Sequence, residues 1–334
     1  MSLKFLGSLG FLRCLGTLGL LGAIASCTSH TGEGEMEPAA IGFHTHRIEE
    51  VGTRALISTT EDLRMPGFGV YGDKTVGKSS PQLVFDNIKV SGTLWDYKPT
   101  KYWDRTAAYR FVAYAPWVRS GTSYISYDPE NKKLTINGIL QWQKIDGDEI
   151  DYLVATSANT AETYISAYGG TVSLAFQHIL AQLTVSVYKI SPTTDYTINS
   201  LSITSEDGVP ITADRSYIYD ADTPASTAFS TPTTYGSQTL LSTDKSVGTT
   251  PTELSRHLVV PFNLGTGKNM ALQLAYTVAG TKKTADVPIG ISQFDSNSSY
   301  VFNLCFEAGN SIKVSVVEVK GWETIEVTDE VYNW

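Results

Sequence analysis

Apolar residues alternate with polar ones at a period of two in stretch after stretch of this chain, and that pattern leaves few folds open. Val172, Leu174 and Phe176 alternate, as do Leu183, Val185 and Val187. Leu272, Leu274, Tyr276 and Val278 repeat the pattern, and so do Ile312, Val314 and Val316. A period of two puts one face of an extended strand inside and the other in water. These runs are rich in Val, Ile, Thr, Tyr and Phe, which suit a half-buried pleated surface. At Val316-Val317 the phase slips by one, which predicts a bulge. Asp128-Pro129-Glu130-Asn131, Asn137-Gly138, Asp207-Gly208 and Gly265-Thr266-Gly267 predict turns between the runs. Helical periodicity is confined to a short stretch from Ala161 to Ala167. The expected fold is therefore all-β, with two tandem β-sandwich domains.

The length of 334 residues fits two domains at roughly 150 residues each. Polar Ser191-Pro192-Thr193-Thr194 sets the expected boundary, giving an N-terminal domain over 41–189 and a C-terminal one over 190–334. The Ser/Thr-rich segment from Asp222 to Thr252 is expected to form long loops. A formal net charge of −9 argues against nucleic acid as a partner, because phosphate binding needs a basic surface. Of the three cysteines, Cys14, Cys27 and Cys305, no two form a CxxC pair, so neither a zinc site nor a disulfide framework is expected. Cys305, between Leu304 and Phe306, reads as a buried, inert thiol.

The first 26 residues contain no acid. Lys4 and Arg13 precede the most apolar stretch, Leu15 to Ala25, which is broken by Gly16, Gly19 and Gly22. That stretch is too short to cross a bilayer and reads as the apolar part of a signal peptide. Its ending, Ile24-Ala25-Ser26-Cys27, resembles the lipobox of bacterial lipoproteins. The resemblance implies cleavage before Cys27 and acylation of its thiol, with lipid chains (palmitate among them) as the anchor. An ordinary signal peptide cut near Ala25 is the alternative. Residues 27–40 then form a polar tether.

Several sequence patterns carry a chemical reading and a plainer one. Gly72-Asp73-Lys74-Thr75-Val76-Gly77-Lys78-Ser79 fits the phosphate-loop pattern, but Pro81 and the strand-like Leu83-Val84-Phe85 follow where a helix is needed. It reads as a solvated hairpin loop. Asp146-Gly147-Asp148-Glu149-Ile150-Asp151 lacks the spacing of a calcium loop and reads as an acidic turn. His44 and His46 share a strand face without further ligands, and His178 and His257 read as core histidines. No nucleophile–base arrangement is present in the motifs, so no enzyme activity and no cofactor or metal is expected. The aromatic group Trp95, Tyr97, Tyr102, Trp103, Tyr109, Tyr114 and Trp117 fits core packing; alternatively, Trp95 and Trp103 stack sugars.

Taken in order, many segments resemble the Bacteroidales fimbrillin-like family, the pilins of the type V pilus. Thr53-Arg54-Ala55 stands where that family has its processing junction. Phe68-Gly69-Val70-Tyr71, Trp95-Asp96-Tyr97, Lys101-Tyr102-Trp103 and Tyr109-Arg110-Phe111-Val112-Ala113-Tyr114-Ala115-Pro116 follow with similar spacing. Asp151 to Ala155, Val172 to Leu180, Val259-Val260-Pro261, Tyr300 to Leu304, and Ile312 to Val316 with Trp322 complete the series. The resemblance implies two sandwich domains of transthyretin-like or Greek-key type. It also implies an outer-membrane lipoprotein precursor that an Arg-specific protease cuts after Arg54, ahead of Ala55, with Arg47 and Arg64 as competing cut sites. The first strand, for which Ile41, Phe43, Ile48 and Val51 are candidates, then leaves, and a strand from another pilin subunit fills its groove.

On this reading the chain is a cell-surface fimbrial subunit, stalk or tip adhesin, assembled by donor-strand exchange. Segment 323–334, with Ile325, Val327 and Val331, is the donor candidate. A host protein or glycan is a further expected partner. The alternative reading is a surface glycan-binding lipoprotein using Trp95 and Trp103.

Overall fold

The sequence folds into strands wherever its period-two runs occur. The computed structural model describes residues 38–45, 60–119, 124–223, 228–307, 311–320 and 323–332, with side chains described as far as Ser315. The first half contains β1 (Gly42–Thr45), α1 (Thr60–Arg64), β2 (Phe68–Val76), β3 (Gln82–Val90) and β4 (Ala107–Ala115). There follow β5 (Ile125–Asp128), β6 (Lys133–Ile139), β7 (Trp142–Lys144), β8 (Leu153–Thr160), α2 (Ala161–Tyr168), β9 (Thr171–Leu174) and β10 (Gln177–His178). The second half begins with β11 (Ala181–Lys189), β12 (Tyr196–Ser205), β13 (Val209–Pro210), β14 (Arg215–Asp220), β15 (Ala228–Phe229) and β16 (Tyr235–Gly236). It continues through β17 (Gln238–Leu241), β18 (Lys245–Ser246), β19 (Thr252–Val259), β20 (Phe262–Asn263) and β21 (Met270–Val278). The last strands are β22 (Thr281–Pro288), β23 (Gln293–Phe294), β24 (Ser298–Phe306), β25 (Ile312–Lys320) and β26 (Glu323–Tyr332). The fold is an all-β sandwich with two helices among the described residues.

Three apolar cores organise the sheets. In the second half, the six-stranded sheet β26-β25-β24-β11-β19-β7 faces the sheet β17-β12-β21-β22. Leu183, Val185 and Val187 from one side meet Leu272, Leu274 and Tyr276 from the other, which is the alternation seen in the sequence. In the first half, the sheet β10-β8-β4-β2-β3 is covered on both faces. Odd-numbered Tyr109, Phe111 and Ala113 of β4 point into one core, and even-numbered Val112 and Tyr114 into another. That second core is shared: Ile125, Leu134 and Ile136 sit there with Tyr217, Leu258 and Val260 from the second half.

Backbone pairing crosses between the halves as well. β14 of the second half pairs with β6, and β19 pairs with β7. Strand β11 runs parallel to β24 and antiparallel to β19. The polar stretch at 191–194 therefore marks the loop between β11 and β12, while residues 181–189 belong by pairing with the later strands.

Local differences from the sequence expectations have physical causes. Asn137-Gly138 is not a turn: it lies inside β6, where Gly138 takes φ 72° and the register against β14 shifts. An extra residue with a left-handed glycine makes a bulge, and the same residue types serve turns. The phase slip near Val316 leaves the β24 pairing continuous; the register shift lies between Val314 and Val316 against β26. In segment 222–252 the short strands β15, β16, β17 and β18 punctuate the loops. The phosphate-loop look-alike ends β2 and turns at Gly77 (φ 58°) into β3, as a hairpin. Helix α2 starts where Thr160 accepts a hydrogen bond from Thr163 N and stops at Gly169 in the left-handed region.

His257 on β19 is buried and its Nδ1 lies 2.9 Å from Ser255 Oγ. Burial, helped by the Lys144 charge, lowers its pKa from the ordinary 6.5 to about 4. The folded state then binds a proton less readily than the unfolded one. Its contribution is intact above pH 6.5 and is lost as the pH falls towards 4, by about 3 kcal/mol. Denaturant titrations at pH 7 and pH 4 should show wild type losing more stability than His257→Gln by about that amount; parallel profiles would contradict the assignment.

Candidate functional site, a groove filled by the first strand

The core on one face of the five-stranded sheet is closed by residues far from it in sequence. Segment 39–45 runs in two stages. First it lies along residues 101–103: Trp103 N donates to Ala39 O (3.0 Å), Ile41 N donates to Lys101 O (2.9 Å), and Ala40 bridges Tyr102. Then Gly42 N donates to Gly170 O (3.0 Å) and β1 continues parallel to β9, with Phe43 opposite Val172 and Thr45 opposite Leu174. The period of two decides what goes inward. Ile41, Phe43 and Thr45 are buried, while His44 faces out.

Phe43 is the central plug. Its ring lies 5.4 Å from Phe85, 5.6 Å from Tyr97, 5.7 Å from Phe111 and 6.3 Å from Phe68, always close to perpendicular. Edge-to-face pairs of this kind add about 0.5–1.5 kcal/mol each beyond area burial. Tyr97 also holds the backbone: its Oη donates to Ile41 O (2.8 Å) and accepts from Lys101 N (3.1 Å). Burial raises the pKa of the Tyr97 hydroxyl, which keeps it a donor.

The rest of the frame is aromatic. Trp103 stacks on Tyr164 of α2 at 4.9 Å and donates through Nε1 to Gly170 O (3.1 Å). Trp95 sits at φ 56°, unusual for a bulky residue, in a tight turn closed by Ser91 and Asp96. That turn lays its ring on Phe68, 5.3 Å away. Trp95 and Trp103 are 7% and 6% exposed, so their rings are walls of the core and have no open face for a sugar.

The other sequence-selected residues are dispersed. Cys27, Arg54 and Ala55 lie outside the described residues, as do Arg47, His46, Ile48, Val51 and Trp322. Ile325, Val327 and Val331 fall on β26, at register positions opposite Glu318, Val316 and Val314 of β25. His178 is buried and pairs through Nδ1 with Asp151. Cys305 is buried on β24. In the acidic turn, the Glu149 carboxylate accepts from Asp146 N and Gly147 N. Tyr97 and the stacking partner Tyr164 were missed as groove residues, although the aromatic density around Tyr97 was a usable signal. Among the described residues, no helix is long and apolar enough to cross a membrane.

Comparison with known proteins identifies the family. A family model described as fimbrillin-like matches residues 53–322. The crystal structure of a fimbrial protein from Bacteroides vulgatus superposes with a TM-score of 0.60 at 16% identity, covering 85% of this chain and 99% of that one. A fimbrial assembly protein from Parabacteroides distasonis gives a TM-score of 0.40 at 10% identity, over 87% of this chain and 98% of that one. No curated protein matches the sequence.

If Phe43 plugs the groove, Phe43→Ala should cost the intact chain about 3–5 kcal/mol in denaturant unfolding. A loss below about 1 kcal/mol would mean that the cage closes without it.

Proposed function

Because the chain belongs to the fimbrillin-like family, we propose that it is a fimbrial subunit whose first strand is a removable place-holder. It is exported as a lipoprotein acylated at Cys27 and reaches the outer surface of the outer membrane. An Arg-specific protease cuts between Arg54 and Ala55. A strand from another subunit then takes the place of residues 39–45. The role is structural or adhesive and involves no catalysis.

The observation that supports this reading is the seating of segment 39–45. It fills a core built entirely from residues beyond position 60, and its covalent link to them runs through residues 46–59, which include Arg54. Cleavage there would leave the strand held by hydrogen bonds and apolar contacts alone. Ile41 and Phe43 contribute on the order of 1.5–3 kcal/mol each by burial, so replacement by a similar strand is close to an even exchange. The incoming strand must offer main-chain groups to Lys101 and Gly170, and two apolar side chains two residues apart, a spacing that Ile325 and Val327 share with Ile41 and Phe43. An acceptor groove on one face and a donor strand elsewhere make a head-to-tail contact that grows without closing.

Ile325, Val327 and Val331 are the donor candidates. Donation requires β26 to leave the edge of β25. A chain that keeps it there accepts a strand without giving one, and so terminates a fibre as a tip subunit. Partners are other pilin subunits, the maturation protease and, for a tip subunit, a host protein or glycan.

Digestion of the purified chain with an Arg-specific protease, followed by N-terminal sequencing and an unboiled denaturing gel, tests the proposal. The expected result is a new terminus at Ala55 and a heat-labile ladder, both abolished by Arg54→Ala. A cut at Ala55 without a ladder assigns the terminal role. Resistance at Arg54, or a ladder unaffected by Arg54→Ala, would contradict the maturation step.

A further inference from the structure

A cavity of about 750 Å³ opens in the second half of the chain, away from any residue of the first-strand groove. Its wall contains Arg215, which is 2% exposed. The guanidinium bonds only neutral partners: Nε donates to Ser230 O (2.9 Å), Nη2 to the same carbonyl, and Nη1 to Gln141 Oε1. One N–H remains on each Nη nitrogen. Among the described residues no carboxylate forms an ion pair with it. A buried cation without a counter-charge is among the most unfavourable arrangements a fold can hold. Burial accordingly lowers the pKa of Arg215.

The other charged groups of the cavity are already engaged. Lys268 pairs with Asp207 at 2.5 Å. Asp295 accepts from Gln293 Nε2 (3.2 and 3.1 Å) and from Tyr300 Oη (3.4 Å). What remains is a guanidinium with two donors to give, at the wall of a space far larger than a small anion needs. Half-exposed Tyr235, together with Phe229 and Phe262, supplies ring surface, and Asn263, whose Nδ2 donates to Gln293 Oε1 and whose Oδ1 accepts from Gly265 N, keeps one amide N–H. A wall that combines ring faces with scattered hydrogen-bonding groups suits a pyranose, which has C–H faces and hydroxyl edges.

We propose that this cavity binds a sugar bearing a carboxylate, with the carboxylate on Arg215 and the ring against Tyr235 and Phe262. The carboxylate supplies the missing counter-charge and accepts both free Nη protons, the two-point geometry that guanidinium groups favour. Neutral sugars leave the buried charge unpaired and bind weakly. A bare carboxylate satisfies Arg215 but leaves the rings uncovered. The site is independent of strand exchange, because its residues come from 207–296 with Gln141 behind Arg215.

Calorimetric titration of the purified chain tests this with glucuronic acid and N-acetylneuraminic acid, using glucose and acetate as controls. At least one acidic sugar should bind about tenfold or more tightly than either control. Tyr235→Ala, at a half-exposed position, should fold normally and weaken that binding severalfold. Arg215→Gln should remove it, and Arg215→Lys should restore part of it if the glutamine variant fails to fold. Equal binding of glucose, equal binding of acetate, no binding of either acid, or unchanged binding by folded Tyr235→Ala would each overturn the proposal.

Discussion

The ring of Phe43 is the contact on which the first half of the structure depends. Four aromatic side chains from β2, β3, β4 and the 95–103 segment turn their edges or faces towards a space that none of them fills. The filling residue comes from seven residues of chain, 39–45, that precede every strand of that sheet and pair with β9 outside it. A core that needs a plug from outside its own run of sequence can have that plug exchanged. Packing at crystal-like density makes the vacancy costly, and under the proposed exchange that cost is the source of the incoming strand's affinity.

The groove is framed by elements that are themselves anchored outside the plug. Strand β4 is buried on both faces, and its even-numbered residues lock into the core shared with β14 and β19. Helix α2 and Trp103 brace the far side through the stacked ring of Tyr164. The tight turn at Trp95 carries backbone strain that the surrounding aromatic packing offsets. These supports come from residues 68–176 and from the second half, outside the seven residues of the plug.

Most of the second-half sandwich was legible in the sequence, because β11, β21 and β25 each have one wet face and one dry face. Elements without that contrast were hidden. Helix α1 is five residues long, and β15, β16 and β18 are two each, too short to show any period. The parallel pairing of β11 with β24 joins residues more than a hundred positions apart and leaves no local trace. Asn137-Gly138 was misread because a bulge and a turn ask for the same left-handed glycine. Ile41 and Phe43 were visible as a strand candidate, but Gly42, His44 and Thr45 between and beside them weakened the signal. Trp95 and Trp103 gave an aromatic density whose destination, core or ligand, only packing could decide. Arg215 stands in an unpatterned stretch, and nothing near it in sequence announced a buried cation.

Assembly by strand exchange requires segment 38–45 to be exchangeable once its link to the body is cut. The direct measurement is uptake of a fluorescent peptide with the sequence of residues 38–45. It is followed by anisotropy on protein cleaved after Arg54 and washed free of its own strand in mild denaturant. The cleaved protein should take up the peptide and the uncut protein should not, and replacing the phenylalanine of the peptide by alanine should abolish uptake. Uptake by the uncut chain, none by the cleaved one, or indifference to the phenylalanine would contradict the claim that this ring holds an exchangeable strand in place.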